Sequence, residues 1–251
     1  MIAVLSPAKN MGSEAPCPLP LTQPIFWQEA LQLNEQLREL SPWQLESLLK
    51  INPQLALKAF AQNQQFSAQY QKGAPAMAAY QGLAYQNLHP QDFTQEDWEF
   101  ARDHLGILSA LYGLLRPTDG IFPYRLEFLC AFKPQGKSLY AYWGNQVYEA
   151  LFAPGEPVIN LASQEYGKLL TPYLTPKDRM VTCHFQVVRR GKRLALATES
   201  KMARGQMARF LLRNRLTEPD QLKDFVWQDY RYEPQLSTRD QYIFLKGIPQ
   251  G

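Results

Sequence analysis

Three short, almost wholly apolar runs constrain the fold more than any other feature of the chain: residues 2–5, 107–115 and 157–162. Runs of this length, bounded by polar residues and proline, read as strands buried on both faces, which require helices packed above and below them. Each run stops on polar sequence. The first ends in Ser6-Pro7-Ala8-Lys9, the second in Arg116-Pro117, and the third in Ser163 with Glu165 and Tyr166 close behind. Ligand-binding groups collect at the carboxyl ends of strands in α/β sheets. If the three strands are parallel neighbours, Lys9, Arg116, Asn160, Ser163 and Glu165 converge, an arrangement suited to an anion with a polar body.

The remaining pattern surrounds such a sheet with helices. Residues 25–62 carry apolar residues at helical spacing, interrupted at Ser41-Pro42 and Asn52-Pro53. Both breaks pair an N-capping residue with proline at the first helical position, so three consecutive helices are predicted. Thr94 to Asp97 resembles a capping box ahead of a helix that Gly106 is expected to end. Residues 138–152 read as helix. Val181, Cys183, Phe185 and Val187 alternate along one face of a strand over 180–188, followed by a turn at Gly191 and a return strand over 194–198. A helix is predicted over 199–213, and short strands over 225–230 and 242–245. Loops are expected at 10–24 and 231–240. The expected class is α+β: a mixed β-sheet with surrounding helices in one domain with a helical N-terminal portion. A separate helical subdomain over 22–105 is the alternative division.

Composition narrows the function. The chain has 251 residues, 45% hydrophobic and 20% charged, and a net charge of only +3. Its positive charge is concentrated: Arg189, Arg190, Lys192, Arg193, Lys201, Arg204, Arg209, Arg213 and Arg215 fall in one stretch with Glu199 as its only acid. That stretch is either a footprint for a polyanion or a solvated hairpin and helix face. The odd set Cys17, Cys130 and Cys183 argues against a disulfide framework and for a reducing, cytoplasmic setting. The opening apolar run lacks a basic leader, and no stretch is long enough to span a bilayer, so no membrane association is expected. His89, His104 and His184 are scattered and no paired-cysteine motif exists, so neither a metal nor a cofactor is expected. Ser6 and Lys9 have S-x-x-K spacing but lack the motifs that accompany it in penicillin-binding enzymes. Arg125 beside Tyr124, and Trp143 beside Tyr140 and Tyr142, read either as base-stacking groups or as ordinary core.

Taken in order, SPAK at 6–9, LSALYGLLRP at 108–117, PYRLE at 123–127, LYAYWG at 139–144, VINLAS at 158–163 and KMARGQMARF at 201–210 resemble the YaaA family of peroxide stress proteins over nearly the whole chain. The resemblance implies a mixed α/β fold with a basic cleft, a helix-hairpin-helix-like element, DNA binding, and a role in limiting oxidative damage linked to unincorporated iron. Carried over position by position, it marks Ser6, Lys9, Arg116, Arg125, Trp143, Asn160, Ser163, Glu165, Lys201, Arg204 and Arg209. The sequence departs from the family pattern at Leu83, Asn145 and Gln164, where carboxylates are common in the family; their loss weakens acid–base or metal chemistry at those points and leaves anion binding intact. The helix-hairpin-helix would be residues 41–60, although its break, Lys50-Ile51-Asn52-Pro53, has no glycine. The expected partner is DNA, or a small anionic ligand such as a nucleotide on which the chain acts as an enzyme. An iron-handling protein is the third reading.

Overall fold

The first apolar run is a strand, β1 (Ile2–Leu5), with Ala3, Val4 and Leu5 fully covered. In the computed structural model, residues 1–12, 15–66 and 73–247 are described; residues 13–14, within the loop expected at 10–24, lie outside them. Three helices follow: α1 (Trp27–Arg38), α2 (Pro42–Leu49) and α3 (Pro53–Gln65). Ser41 accepts from the Gln44 N–H and Asn52 from the Leu55 N–H, so the two breaks are the capped starts that the sequence predicts. β2 (Ala74–Pro75), α4 (Ala76–Ala79), α5 (Leu83–Leu88) and α6 (Gln95–His104) come next. Thr94 and Asp97 close a reciprocal capping box on α6.

Gly106 does not end that helix. It lies inside β3 (Leu105–Ser109), where a Cβ would come within 2.9 Å of Leu114. The expected single strand over 107–115 is a hairpin, because Ser109 Oγ accepts from the Leu111 and Tyr112 N–H groups and Gly113 takes φ +68°, turning the chain into β4 (Gly113–Leu115). β5 (Gly120–Ile121) pairs with β2 apart from the main sheet. The helix expected over 138–152 is two, α7 (Leu139–Trp143) and α8 (Gln146–Phe152), broken where Gly144 adopts φ +50°. β6 (Val158–Asn160) and the short α9 (Gln164–Gly167) precede the long strand β7 (Met180–Arg189). Arg190 and Gly191, both at positive φ, turn it into β8 (Lys192–Leu194), so the return strand is earlier and shorter than expected. α10 (Ala197–Arg213) follows. Residues 225–230 form no strand: Gln228 and Asp229 at positive φ fold them into a turn closed by a Trp227–Tyr230 bridge. β9 (Arg231–Tyr232) and β10 (Gln241–Lys246) complete the sheet.

The main sheet is eight-stranded in the order β4-β3-β1-β6-β7-β10-β9, with β8 on β7. β1 runs parallel to β3 and β6, β6 to β7, and β7 to β10; β4, β8 and β9 are antiparallel. The fold is therefore α+β, with a mixed sheet surrounded by helices. One continuous core reaches from Met1 and Val4 through Trp98 and Trp143 to Phe244.

Candidate functional site

β1 and β6 are adjacent and parallel, so the loops leaving their carboxyl ends meet. The Ser163 N–H donates to Ser6 Oγ at 2.8 Å, and the Ser6 hydroxyl donates to Ser163 Oγ at 3.3 Å. Tyr85 of α5 donates its hydroxyl to the Ser6 carbonyl at 2.9 Å. The loop then passes under Gly82, where a Cβ would sit 2.9 Å from that of Ala8. α10 closes the other side. Gly205 lets α10 press onto α5 so tightly that a Cβ there would lie 2.0 Å from the Ala84 carbonyl oxygen. Ser200 donates to the Phe185 carbonyl and fixes the same helix against β7.

These elements enclose a cavity of about 400 Å³. Ser6, Lys9, Arg125, Ser163, Glu165, Lys201 and Arg204 all line it, so most of the sequence-derived candidates lie around one hollow. Apolar and aromatic side chains, among them Pro7, Leu83, Leu126, Tyr85, Tyr124 and Tyr166, form much of the remaining wall, with Asn10, Gln81 and Glu127.

Charge is not spread evenly around the cavity. Glu127 Oε2 holds Lys9 Nζ at 2.8 Å, and its Oε1 lies 3.2 Å from Arg125 Nε without hydrogen-bond alignment. Glu165 accepts from the Leu129 N–H at 3.3 Å. Burial raises its pKa, and the neighbouring Glu127 charge adds to the rise, so Glu165 holds a proton more readily than an exposed glutamate. On the opposite wall, Lys201 and Arg204 stand one helical turn apart. Neither has an acidic group within salt-bridge distance among the described residues, and the buried Arg204 Nε has no hydrogen-bond partner. Burial lowers the Arg204 pKa from its ordinary value, and the nearby Cys183 offsets this only in part. Ser6 is not set up as a nucleophile: its proton points to Ser163 Oγ, and Lys9 is held by Glu127.

The other candidates lie elsewhere. Arg116 follows β4, which runs back antiparallel to β3, so it leaves the sheet away from the Ser6 end; it is gripped by Asp119 and the Gln23 carbonyl. Trp143 is fully buried and donates its indole N–H to the Ala110 carbonyl. Asn160 braces the loop after β6, accepting from the Ala162 N–H under Gly167. Arg209 makes a bidentate pair with Asp92 at 2.7 and 2.8 Å and also donates to Leu88 and His89 carbonyls, clamping α10 to the end of α5. Tyr140 stacks on Phe128, and Tyr142 donates to the Glu29 carbonyl.

Three further arginines of the basic stretch are paired the same way. Arg189 lies 3.7 Å from Glu199, Arg213 pairs with Asp97, and Arg215 pairs with Glu96 and Asp97. Arg190, Lys192 and Arg193 remain exposed at the β7–β8 tip. The α2–α3 connection engages its N–H groups internally: those of Lys50 and Ile51 donate to Glu46, and that of Leu55 to Asn52. Among the described residues, no three His, Cys, Asp or Glu side chains come together as a metal site, and no helix is long and apolar enough to cross a membrane.

Sequence reasoning missed Glu127, Tyr85 and Tyr166 as cavity residues. Glu127 was visible in the PYRLE motif beside Arg125; nothing local marks Tyr85, whose contact with Ser6 spans 79 positions.

The family description "Peroxide stress protein YaaA" matches residues 1–236. A UPF0246 protein of Limosilactobacillus fermentum is 41% identical over 98% of this chain and 100% of its own length. UPF0246 proteins of Bacteroides fragilis, 37% identical over 98% of this chain and 99% of theirs, and of Clostridioides difficile, 34% identical over 98% and 100%, are similar throughout. A match of this extent places the protein in the peroxide stress protein YaaA family.

Proposed function

We propose that this protein acts in the cytoplasm in peroxide defence by binding DNA along its basic cleft, and that it thereby limits oxidative damage linked to free iron. The peroxide setting comes from the family description and from the resemblance in the motifs. The observation that carries the binding reading is the pair Lys201 and Arg204: two cations facing a cleft with no acidic partner, in a chain whose neighbouring arginines are mostly paired. Exposed Arg190, Lys192 and Arg193 at the hairpin tip add positive charge that a phosphate backbone can meet. Fluorescence anisotropy with a labelled duplex tests the reading. Affinity should fall steeply between roughly 50 and 200 mM salt, as phosphate contacts require. Absence of binding at the low end of that range would refute it.

A second reading has its own support. The cavity is concave and partly open, walled largely with apolar and aromatic side chains, and holds the carboxylates Glu127 and Glu165 beside the cations, as small-molecule enzyme sites do. Turnover of a nucleotide or other small anion that disappears in Glu165→Gln would favour it, and its absence with every anion tried would count against it.

A further inference from the structure

Taking the phosphate-binding reading of this cleft as given, we propose that the cavity receives a terminal phosphate monoester on a ring-bearing body, not an internal phosphodiester. Four cationic side chains and two carboxylates line the cavity among the described residues, a net charge of +2 when both acids are ionised. Glu127 already holds Lys9 and lies against Arg125. The uncompensated charge is therefore Lys201 and Arg204, adjacent on one helix face. Two neighbouring cations match a monoester, which carries about −1.5 to −2 at neutral pH, and exceed what a singly charged diester neutralises. Arginine adds directionality: its fork of donors suits the several oxygens of a phosphoryl group, and here the buried Nε is still without an acceptor.

The pocket, although open over part of its surface, bears on the same choice. A diester inside a strand continues on both sides and would need two exits, whereas a monoester ends the molecule. A volume of about 400 Å³ is within the range of small-ligand pockets and leaves space beyond the phosphate for a sugar and base. Tyr85, Tyr166, Leu83 and Leu126 give that body an apolar and aromatic wall. The same chemistry has two sources. One is a free nucleoside monophosphate. The other is a phosphorylated strand end, such as radical attack on deoxyribose leaves behind.

The test begins with thermal shift and calorimetry on the intact protein, using a nucleoside 5′-monophosphate, the matching nucleoside, and a dinucleotide with one internal diester. The monophosphate should bind at least about tenfold tighter than either comparator, and its binding should weaken as pH falls below the second phosphate pKa of about 6. Lys201→Gln and Arg204→Gln should each remove most of the advantage; Lys201 is exposed, so that variant remains informative if Arg204→Gln folds poorly. Equal binding of monophosphate and nucleoside, or of monophosphate and diester, overturns the inference, as does an advantage that survives both substitutions. Anisotropy with a gapped duplex bearing a terminal phosphate or a terminal hydroxyl separates the sources: a preference for the phosphorylated end assigns the site to DNA ends, and a preference seen only with free monophosphate assigns it to nucleotides. If intact duplex binds but neither monoester is preferred, the inference alone fails. If no DNA binds while monophosphate does, the DNA reading fails and the monoester site stands.

Discussion

The Ser163 backbone N–H donates to Ser6 Oγ at 2.8 Å, tying the loop after β1 to the loop after β6 across 157 positions of the chain. The bond sits at the carboxyl edge of two parallel strands and forms one wall of the cavity. Ser6→Ala removes the acceptor and leaves a partly buried N–H unsatisfied. The expected loss is about 1–2 kcal/mol of stability, read as a lower denaturant midpoint at unchanged slope.

Gly205 controls the opposite wall. Any side chain there drives a Cβ into the Ala84 carbonyl and pushes α10 off α5. Gly205→Ala should destabilise the protein by about 1–3 kcal/mol, as overpacking does. Because Lys201 and Arg204 ride on the same helix, phosphate affinity should fall along with stability. A variant that keeps wild-type affinity would show that the cavity tolerates a displaced α10.

Glu165 gives the fold a pH signature. Its folded-state pKa is raised by burial and by Glu127, so the native state binds a proton more readily than the unfolded chain. Ionisation of Glu165 therefore opposes folding. Its contribution is lost as pH rises from the unfolded carboxyl value through the raised folded value, and stays lost above it. Glu165→Gln keeps an acceptor for the Leu129 N–H and removes the ionisation. The variant should be at least as stable as wild type at neutral pH, and the difference should shrink as pH falls through that window.

Arg209 is a contrasting case. Its hydrogen bonds and charge hold the Asp92 carboxyl below its ordinary pKa, so the pair supports the fold above the unfolded carboxyl value and is lost as pH falls through the lowered one. Arg209→Gln should lower thermal stability, most clearly at neutral pH, while leaving the salt dependence of DNA binding unchanged. A reduced salt dependence would show that Arg209 reaches phosphate despite its partner.

Much of this arrangement was legible in the chain. The apolar runs at 2–5 and 157–162 announced buried strands, and Ser41, Asn52 and Thr94 announced helix starts; the sequence left open that the two strands run parallel side by side and so bring Ser6 and Ser163 together. The rest depended on contacts between distant segments. The basic run from Arg189 to Arg215 contains one acid, yet Asp92, Glu96 and Asp97, some hundred positions earlier, pack against α10 and neutralise three of its arginines. No local pattern separates those arginines from Lys201 and Arg204. Arg116 misled for a related reason. A continuous apolar run over 107–115 looks like one strand, and only the Ser109 hydrogen bonds with the left-handed Gly113 reveal a hairpin that carries Arg116 back the other way.

The salt dependence of binding to a duplex bearing a terminal phosphate, in a Lys201→Gln/Arg204→Gln double variant, tests the central claim most directly. Each phosphate contact contributes about 0.9 to the slope of log affinity against log salt. The account predicts a slope smaller than wild type by about 1 to 2, the range for two cations on one doubly charged phosphate, with binding weakened at every salt concentration. An unchanged slope would contradict it, placing the phosphate contacts on other cations of the surface.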